Sequence, residues 1–325
     1  MSQHPLRIGT RASALALWQT ERVRARLADC GYRTERVEIR TTGDVVQDVP
    51  LSRIGDRALF TKQLDDALLE GRIDVGVHSL KDLPTRLPDG IALAAVGLRE
   101  DPRDALVARE GVRWATLPEG AVVATSSVRR RAQLLWQRRD LQVVDLRGNV
   151  DTRLAKLDRT PEWSAVLLAA AGLVRLGLEA RISERLSLDL MLPAPGQGAL
   201  AAAARSSDAR AAEALRRALH EPGVELAVTA ERAFLRALEG GCQVPIAAAA
   251  HLADEPGGRS LRLRGRVLSL DGDECVEGTL ATASLTADAA ETLGTTLAHE
   301  LLRQGAAAIL DALRSRSRGE PVTEP

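Results

Sequence analysis

Short apolar runs of strand length alternate with amphipathic helical stretches over the first half of the chain, and this alternation restricts the possible folds most. Leu6 to Gly9 reads as a strand, and Ser13 as the N-cap of a helix that ends near Gly31. Val37 and Ile39 suggest a second strand, while Phe60, Leu64, Ala67 and Leu68 share one helix face that stops at Gly71. Ile73, Val75 and Val77 alternate as a strand running into His78-Ser79-Leu80-Lys81-Asp82. The pattern returns at Val122-Val123-Ala124, Val143-Val144 and Val166-Leu167-Leu168. Repeated strand–helix units imply mostly parallel sheets with helices on both faces, an α/β fold.

Two stretches rich in structure-breaking residues interrupt the repeat: Arg99-Glu100-Asp101-Pro102-Arg103 and Leu192-Pro193-Ala194-Pro195-Gly196-Gln197-Gly198. Two crossings imply a middle domain inserted into the first, so residues 1–98 with 199–218 are expected to form one domain and 103–193 a second. After His220-Glu221-Pro222-Gly223 the pattern changes. A helix carrying Val228, Phe234, Leu235 and Leu238 leads to alternating strands such as Leu261 to Leu270, and a final helix is expected near Thr292 to Leu313. Residues 221–325 therefore read as a smaller third α/β domain. The tail after Arg314 is polar.

Composition excludes several function classes. Five scattered histidines and three scattered cysteines show no metal-ligand spacing. The 44 basic and 44 acidic residues balance, so nucleic acid is not an implied partner. No apolar run approaches the ~20 residues that a membrane-spanning helix needs, and the start of the chain does not read as a signal peptide. An odd, low cysteine count points to a reducing compartment, with cytoplasm the expectation. Neither a P-loop nor a Rossmann glycine fingerprint occurs. Only Lys62, Lys81 and Lys156 are lysines, so arginine position carries more information than arginine number.

Polar residues gather where strands end, which is where open α/β sheets bind ligands. Arg11 and Ser13 follow the first strand, and Ser79, Lys81 and Asp82 the third. Thr125, Ser126, Ser127, Arg129 and Arg130 open one helix of the middle stretch, and Arg147 and Arg153 flank the start of another. Planar guanidinium forks suit bidentate carboxylate binding, so together these residues point to a ligand bearing several carboxylates or phosphates. Taken singly they have plainer readings. Arg129-Arg130-Arg131 suits a solvated helix face, Thr125-Ser126-Ser127 a helix cap, and His78 a satisfied buried histidine. Leu51, Phe60 and Trp18 are expected in the core.

Among the cysteines, Cys242 stands apart. In Leu238-Glu239-Gly240-Gly241-Cys242-Gln243-Val244-Pro245-Ile246 two glycines end a helical stretch and a proline stiffens the chain just beyond. Cys30 closes an amphipathic helix, and Cys275 lies in a polar hairpin-like stretch. A helix C-terminus disfavours a thiolate, so Cys242 suits a bond made once better than a recurring nucleophile.

These residues resemble the porphobilinogen deaminase family nearly from end to end. The resemblance rests on Arg7-Ile8-Gly9-Thr10-Arg11 with Ser13, Val77-His78-Ser79-Leu80-Lys81-Asp82-Leu83-Pro84 and Glu100-Asp101-Pro102-Arg103-Asp104. It continues through Thr125-Ser126-Ser127-Val128-Arg129-Arg130, Leu146-Arg147-Gly148-Asn149 with Thr152-Arg153, Pro195-Gly196-Gln197-Gly198 and the Cys242 loop. It implies two periplasmic-binding-protein-like α/β domains with a hinge, plus a smaller third α/β domain. It further implies a transferase that adds four porphobilinogen molecules, with loss of ammonia, to a dipyrromethane cofactor, then releases hydroxymethylbilane by hydrolysis.

By the same resemblance, dipyrromethane is held by a thioether to Cys242, and Asp82 is the catalytic carboxylate, set against the cation left when ammonia departs. Lys81, Thr125, Ser126, Ser127, Arg129, Arg130, Asp44 and Gly148 hold the cofactor. Arg11, Ser13, Ser79, Arg147, Arg153, Gln197 and Arg175 line the porphobilinogen site. Departures from the family pattern lie at Arg53 and Arg57, where lysines are common, and at Gln63, where glutamate is usual. No coiled coil or interface repeat opposes a monomer. The alternative of another class is a non-catalytic carboxylate-binding receptor on the same two-domain cleft, which leaves Cys242 unexplained. A cysteine hydrolase lacks a histidine partner.

Overall fold

The computed structural model describes residues 4–39, 61–109, 111–238 and 244–318, with side chains to 315. Its backbone groups into two compact units, Met1–Pro102 with Ala171–Glu179 and Gly196–Glu225, and Arg103–Ala170 with Ala180–Pro195 and Leu226–Pro325.

The first unit holds β1 (Leu6–Thr10), α1 (Ala14–Asp29), β2 (Thr34–Glu38), α2 (Lys62–Leu69), β3 (Val75–Ser79) and β4 (Ile91–Gly97). After the second crossing come β10 (Leu200–Arg205) and α6 (Ala209–Leu219). The sheet order is β2-β1-β3-β10-β4. Leu6, Ile8, Val75, Val77 and Ala202 pack on Val23 and Leu27 of α1 and on Ala214 and Leu215 of α6. Ile73, Ile91 and Ala203 pack on Ala67 and Leu68 of α2. Both faces are thus covered, as the near-continuous apolar strands require. Each buried Leu, Ile or Val contributes about 1.5–3 kcal/mol.

The second unit contains β5 (Asp104–Ala108), β6 (Val122–Ala124), α3 (Val128–Gln137), β7 (Gln142–Val144), α4 (Val150–Arg159), β8 (Trp163–Ala169) and β9 (Glu184–Arg185), in the order β7-β6-β8-β5-β9. Between β8 and β9 the chain passes through the first unit as α5 (Ala170–Arg175). Each five-stranded sheet is mixed, with four strands running one way and one reversed. β10 lies antiparallel to β3 and β4, and β5 antiparallel to β8 and β9. In each sheet the reversed strand is the first to follow a crossing, so the chain enters from the opposite end and runs back along its neighbours.

The remaining elements are α7 (Pro222–Ala237), β11 (Ile246–Glu255), β12 (Gly258–Leu268), β13 (Cys275–Thr282), α8 (Ala287–Leu301) and α9 (Ala307–Arg318). β11, β12 and β13 form an antiparallel sheet whose inner face packs Ile246, Leu261, Leu263 and Val267 on Phe234, Leu297 and Leu301. The single helix expected near the end is two helices, kinked at Gly305, whose φ is +116°. Trp18, expected in the core, is 38% exposed. Among the described residues no helix is long and apolar enough to cross a membrane.

Candidate active site

In the first unit three chain segments meet at one end of the sheet. β1 and β3 run parallel, so Arg11, Ser13 and Ser79 leave at the same end. β10 runs the other way, with Leu200 opposite Ser79, which brings the preceding Gln197 to that end as well. Ser13 caps α1 by accepting the Ala16 N–H at 3.4 Å, and Ser79 Oγ accepts from Gln19 Nε2 at 2.8 Å. Leu80, Lys81 and Asp82 form one 3-10 turn in which Leu80 is buried and Asp82 exposed. The turn is pinned by the Leu80 N–H donating to Ala199 O at 3.0 Å.

Gln197 is wholly buried and joins the segments. Its Oε1 accepts from Lys81 Nζ at 3.3 Å, and its Nε2 donates to Pro102 O at 2.7 Å. Gly198 makes this approach possible: its φ is +84°, and a Cβ there would lie 2.3 Å from Glu100 O. Arg175 Nη2 donates to Leu98 O at 2.9 Å and to Gly198 O at 2.6 Å, with its guanidinium 5.6 Å from the centre of the Trp18 ring. The exposed tryptophan thus covers a buried arginine. Leu98 itself holds a left-handed φ of +49°, and its N–H donates to Glu221 Oε1 at 2.8 Å. His78, one residue before Ser79, is buried with Nε2 lacking a hydrogen-bond partner among the described residues, so it is not a satisfied core histidine. Burial, with Arg11 adding to it, lowers its pKa to about 4.

The second unit repeats the arrangement at the ends of β6 and β7, which are parallel neighbours. The Thr125 N–H donates to Val144 O at 2.8 Å. Ser126 Oγ donates to Leu146 O at 2.8 Å and accepts the Leu146 N–H at 2.9 Å, tying the two loops together. Ser127 caps α3, accepting the Arg130 N–H at 3.4 Å. Arg153 Nε donates to Gly148 O at 2.7 Å. Gly148 has φ +118°, and a Cβ would stand 2.7 Å from Thr152 Cγ2, so the start of α4 requires glycine there. Arg147 Nη1 is buried without a hydrogen-bond partner among the described residues.

Arg129 and Arg130 are buried, which removes the solvated-face reading for two of the three arginines. Arg129 Nη1 donates to Asp104 Oδ2 at 2.7 Å, and Arg130 donates to Asp104 Oδ1 through Nε at 3.0 Å and Nη2 at 2.7 Å. Burial pushes the Asp104 carboxyl up, but the two guanidinium charges outweigh it and hold it far below the usual carboxylate range. Asp104 is the site-adjacent residue that the sequence did not single out for this role. It begins β5 opposite Ala169, a pairing that only the reversed strand creates. Cys242, Asp44, Arg53, Arg57, Leu51 and Phe60 lie outside the described residues. Gln63 lies in the first turn of α2. No group of His, Cys, Asp and Glu among the described residues could hold a metal ion.

Comparison with known proteins places these residues in a family context. Residues 6–213 match the model "porphobilinogen deaminase, dipyromethane cofactor binding domain", and residues 225–303 match "porphobilinogen deaminase, C-terminal domain". The chain is 49% identical over 315 residues to the porphobilinogen deaminase of Syntrophotalea carbinolica, covering 96% of this chain and 97% of that one. It is 52% identical over 307 residues to that of Rubrobacter xylanophilus, covering 94% and 97%. Among solved structures, the methionine binding protein MetQ is similar over 66% of this chain and 89% of its own, at 12% identity and a TM-score of 0.41.

Proposed function

Because the chain belongs to the porphobilinogen deaminase family, we propose that it joins four porphobilinogen molecules head to tail, with loss of ammonia, on a covalently held dipyrromethane primer. Hydrolysis then releases hydroxymethylbilane. The observation that carries this reading is identity near one half to two named deaminases over almost the whole chain.

The residues present fit such a primer. Each pyrrole bears an acetate and a propionate, and the buried Nη1 of Arg147 is an orphan donor that a carboxylate would satisfy. Thr125, Ser126 and Ser127 surround the capped start of α3, where free N–H groups and a partial positive charge favour anions. Lys81, Asp44 and Gly148 belong with them. Arg129 and Arg130 act through the positive potential they add at the start of α3, since Asp104 engages both guanidinium groups. The primer supplies the pyrrole carbon to which the first substrate is joined, with Cys242 as its thioether tether.

Asp82 is the catalytic residue of this reading. It is exposed on a turn whose neighbours are fixed by Gln197 and Ala199, so its carboxylate meets the substrate without rearranging the backbone. A fixed negative charge there stabilises the cation left when porphobilinogen loses ammonia, and it assists proton transfer. Arg11, Ser13, Ser79, Arg147, Arg153 and Gln197 bind substrate carboxylates, and Arg175 holds the two crossings from beneath. We place the domains at residues 1–98 with 199–218, 103–193 and 221–325. The low, odd cysteine count supports a cytoplasmic location, the balanced charge speaks against a nucleic-acid partner, the lack of a long apolar run against a membrane, and the lack of a coiled coil or interface repeat is consistent with a monomer.

Intact mass of the purified protein tests the reading. The expected excess equals two porphobilinogens less two ammonias, lost in Cys242→Ser. A bare polypeptide mass with full activity would exclude it.

A further inference from the structure

Arg266 is 1% exposed, yet it lies on β12, in none of the motifs that the sequence singled out. Its Nη1 donates to Gln133 Oε1 at 2.6 Å, its Nη2 to Asp189 O at 3.1 Å and its Nε to the Glu277 carboxylate. The guanidinium lies 4.7 Å from the centre of the Trp136 ring. Gln133 and Trp136 both belong to α3, so one buried cation of the third sheet grips the helix whose first turn carries Ser127, Arg129 and Arg130.

Gln133, also wholly buried, extends the contact. Its Oε1 accepts the Leu192 N–H at 2.8 Å, and its Nε2 donates to Leu192 O at 2.9 Å. That same carbonyl accepts from Arg129 Nη1 at 2.7 Å, the nitrogen that also donates to Asp104. Leu192 packs on Ala247 and Ala249 of β11, and the Ala248 N–H donates to Pro193 O at 3.0 Å. Arg266, Gln133, Leu192, Arg129 and Asp104 thus form a continuous buried polar chain from the third sheet to the start of α3.

Burying a guanidinium contributes little net stability compared with an apolar side chain of similar size. It does give geometry, because a planar fork fixes both the distance and the direction of its partners. A stacked ring on one face and acceptors for all three nitrogens leave Arg266 one orientation.

We propose that Arg266 is a positioning residue: through Gln133 it fixes the Leu192 peptide, and thereby Arg129 and the first turn of α3, relative to the third sheet. The proposal rests on the deaminase reading, in which the primer is tethered just before β11 in sequence while its acids are held at α3. Loss of the fork displaces one set of contacts from the other. Substrate then meets a misaligned acceptor, although the covalent primer is still loaded.

Full-length Arg266→Leu, Gln133→Met and the double variant test this by steady-state kinetics with porphobilinogen, intact mass and Tm. Arg266→Leu is expected to keep the primer mass while kcat/KM falls about tenfold, mainly through KM. The double variant is expected within about twofold of Gln133→Met alone, because both act through one chain. Arg266→Lys keeps the charge without the fork and is expected to resemble Arg266→Leu. It replaces Arg266→Leu in every comparison if the latter does not fold. Kinetics within about twofold of the parent at a temperature where the variant is folded, or multiplicative losses in the double variant, would overturn the proposal. A parent lacking both primer mass and turnover would instead overturn the deaminase reading, and this inference with it.

Discussion

At the scale of single residues, His78 and Asp82 lie four residues apart in opposite environments. Asp82 is exposed at the end of its turn, free to face a developing cation. At ~4 Å and an effective dielectric near 20 such a pair contributes up to about 4 kcal/mol, so Asp82→Asn should lower kcat by on the order of a thousandfold. The primer mass should be unchanged, and near-parental turnover in the loaded variant would remove Asp82 from the reaction. His78 titrates at about 4 when folded, below its ordinary value of 6.5. As pH falls through 6.5 the unfolded chain takes up a proton that the folded chain refuses until about 4. Stability is therefore intact above that window and lost across it, by up to about 3 kcal/mol. His78→Gln should flatten the decline of Tm between these pH values, and an unchanged slope would refute the assignment. That Lys81 and Gln197 come together at one sheet end was legible in sequence, because each lies in a short contiguous motif at a strand end. The engagement of Arg129 and Arg130 by Asp104 was not, because their partner arrives on a strand whose reversal no local pattern encodes.

At the scale of elements, alternation of apolar strands with helices was legible because burial on both sheet faces leaves continuous apolar runs. Strand direction was not legible: β5 and β10 are as apolar as their parallel neighbours, and their reversal follows from the crossings. The crossings also carry the tightest backbone. A methyl group at Gly198 would meet Glu100 O at 2.3 Å, with φ at +84°. Gly198→Ala should cost roughly 1–3 kcal/mol, seen as a lower denaturation midpoint at unchanged m-value. It should also raise KM, since Arg175 donates to the Gly198 carbonyl and Gln197 immediately precedes Gly198. Gly148→Ala faces the same backbone penalty, but its contact is the side chain of Thr152. Because strain at positive φ stays when the contact is removed, Gly148→Ala should cost a similar amount, roughly 1–3 kcal/mol, beside Thr152→Gly, measured against Thr152→Gly alone. Loss of that cost would show that the contact dominates.

At the scale of the whole molecule, neutrality conceals a separation of charge. The chain carries 44 basic and 44 acidic residues, yet Arg11 and Lys81 lie near the sheet end of the first unit, and Arg147 and Arg153 near that of the second. Several surface arginines are matched locally, as with Arg24 and Arg36 on Glu21, or Arg138 on Asp140. In the proposed reading the cations at each sheet end meet a ligand's acids, and the buried Nη1 of Arg147, without a hydrogen-bond partner among the described residues, is the observation that supports it. A ligand that binds only the folded protein stabilises it by mass action, and a tethered one does so at high effective concentration. Cys242→Ser, unable to hold the primer, should therefore melt at least ~3 °C below the loaded protein. Polycarboxylate added at constant ionic strength should raise the Tm of Cys242→Ser more than that of the loaded protein, because in the latter the primer's acids already engage donors such as the buried Nη1 of Arg147. Equal melting temperatures, or equal shifts on adding the anion, would mean that these cations do not meet the primer's acids.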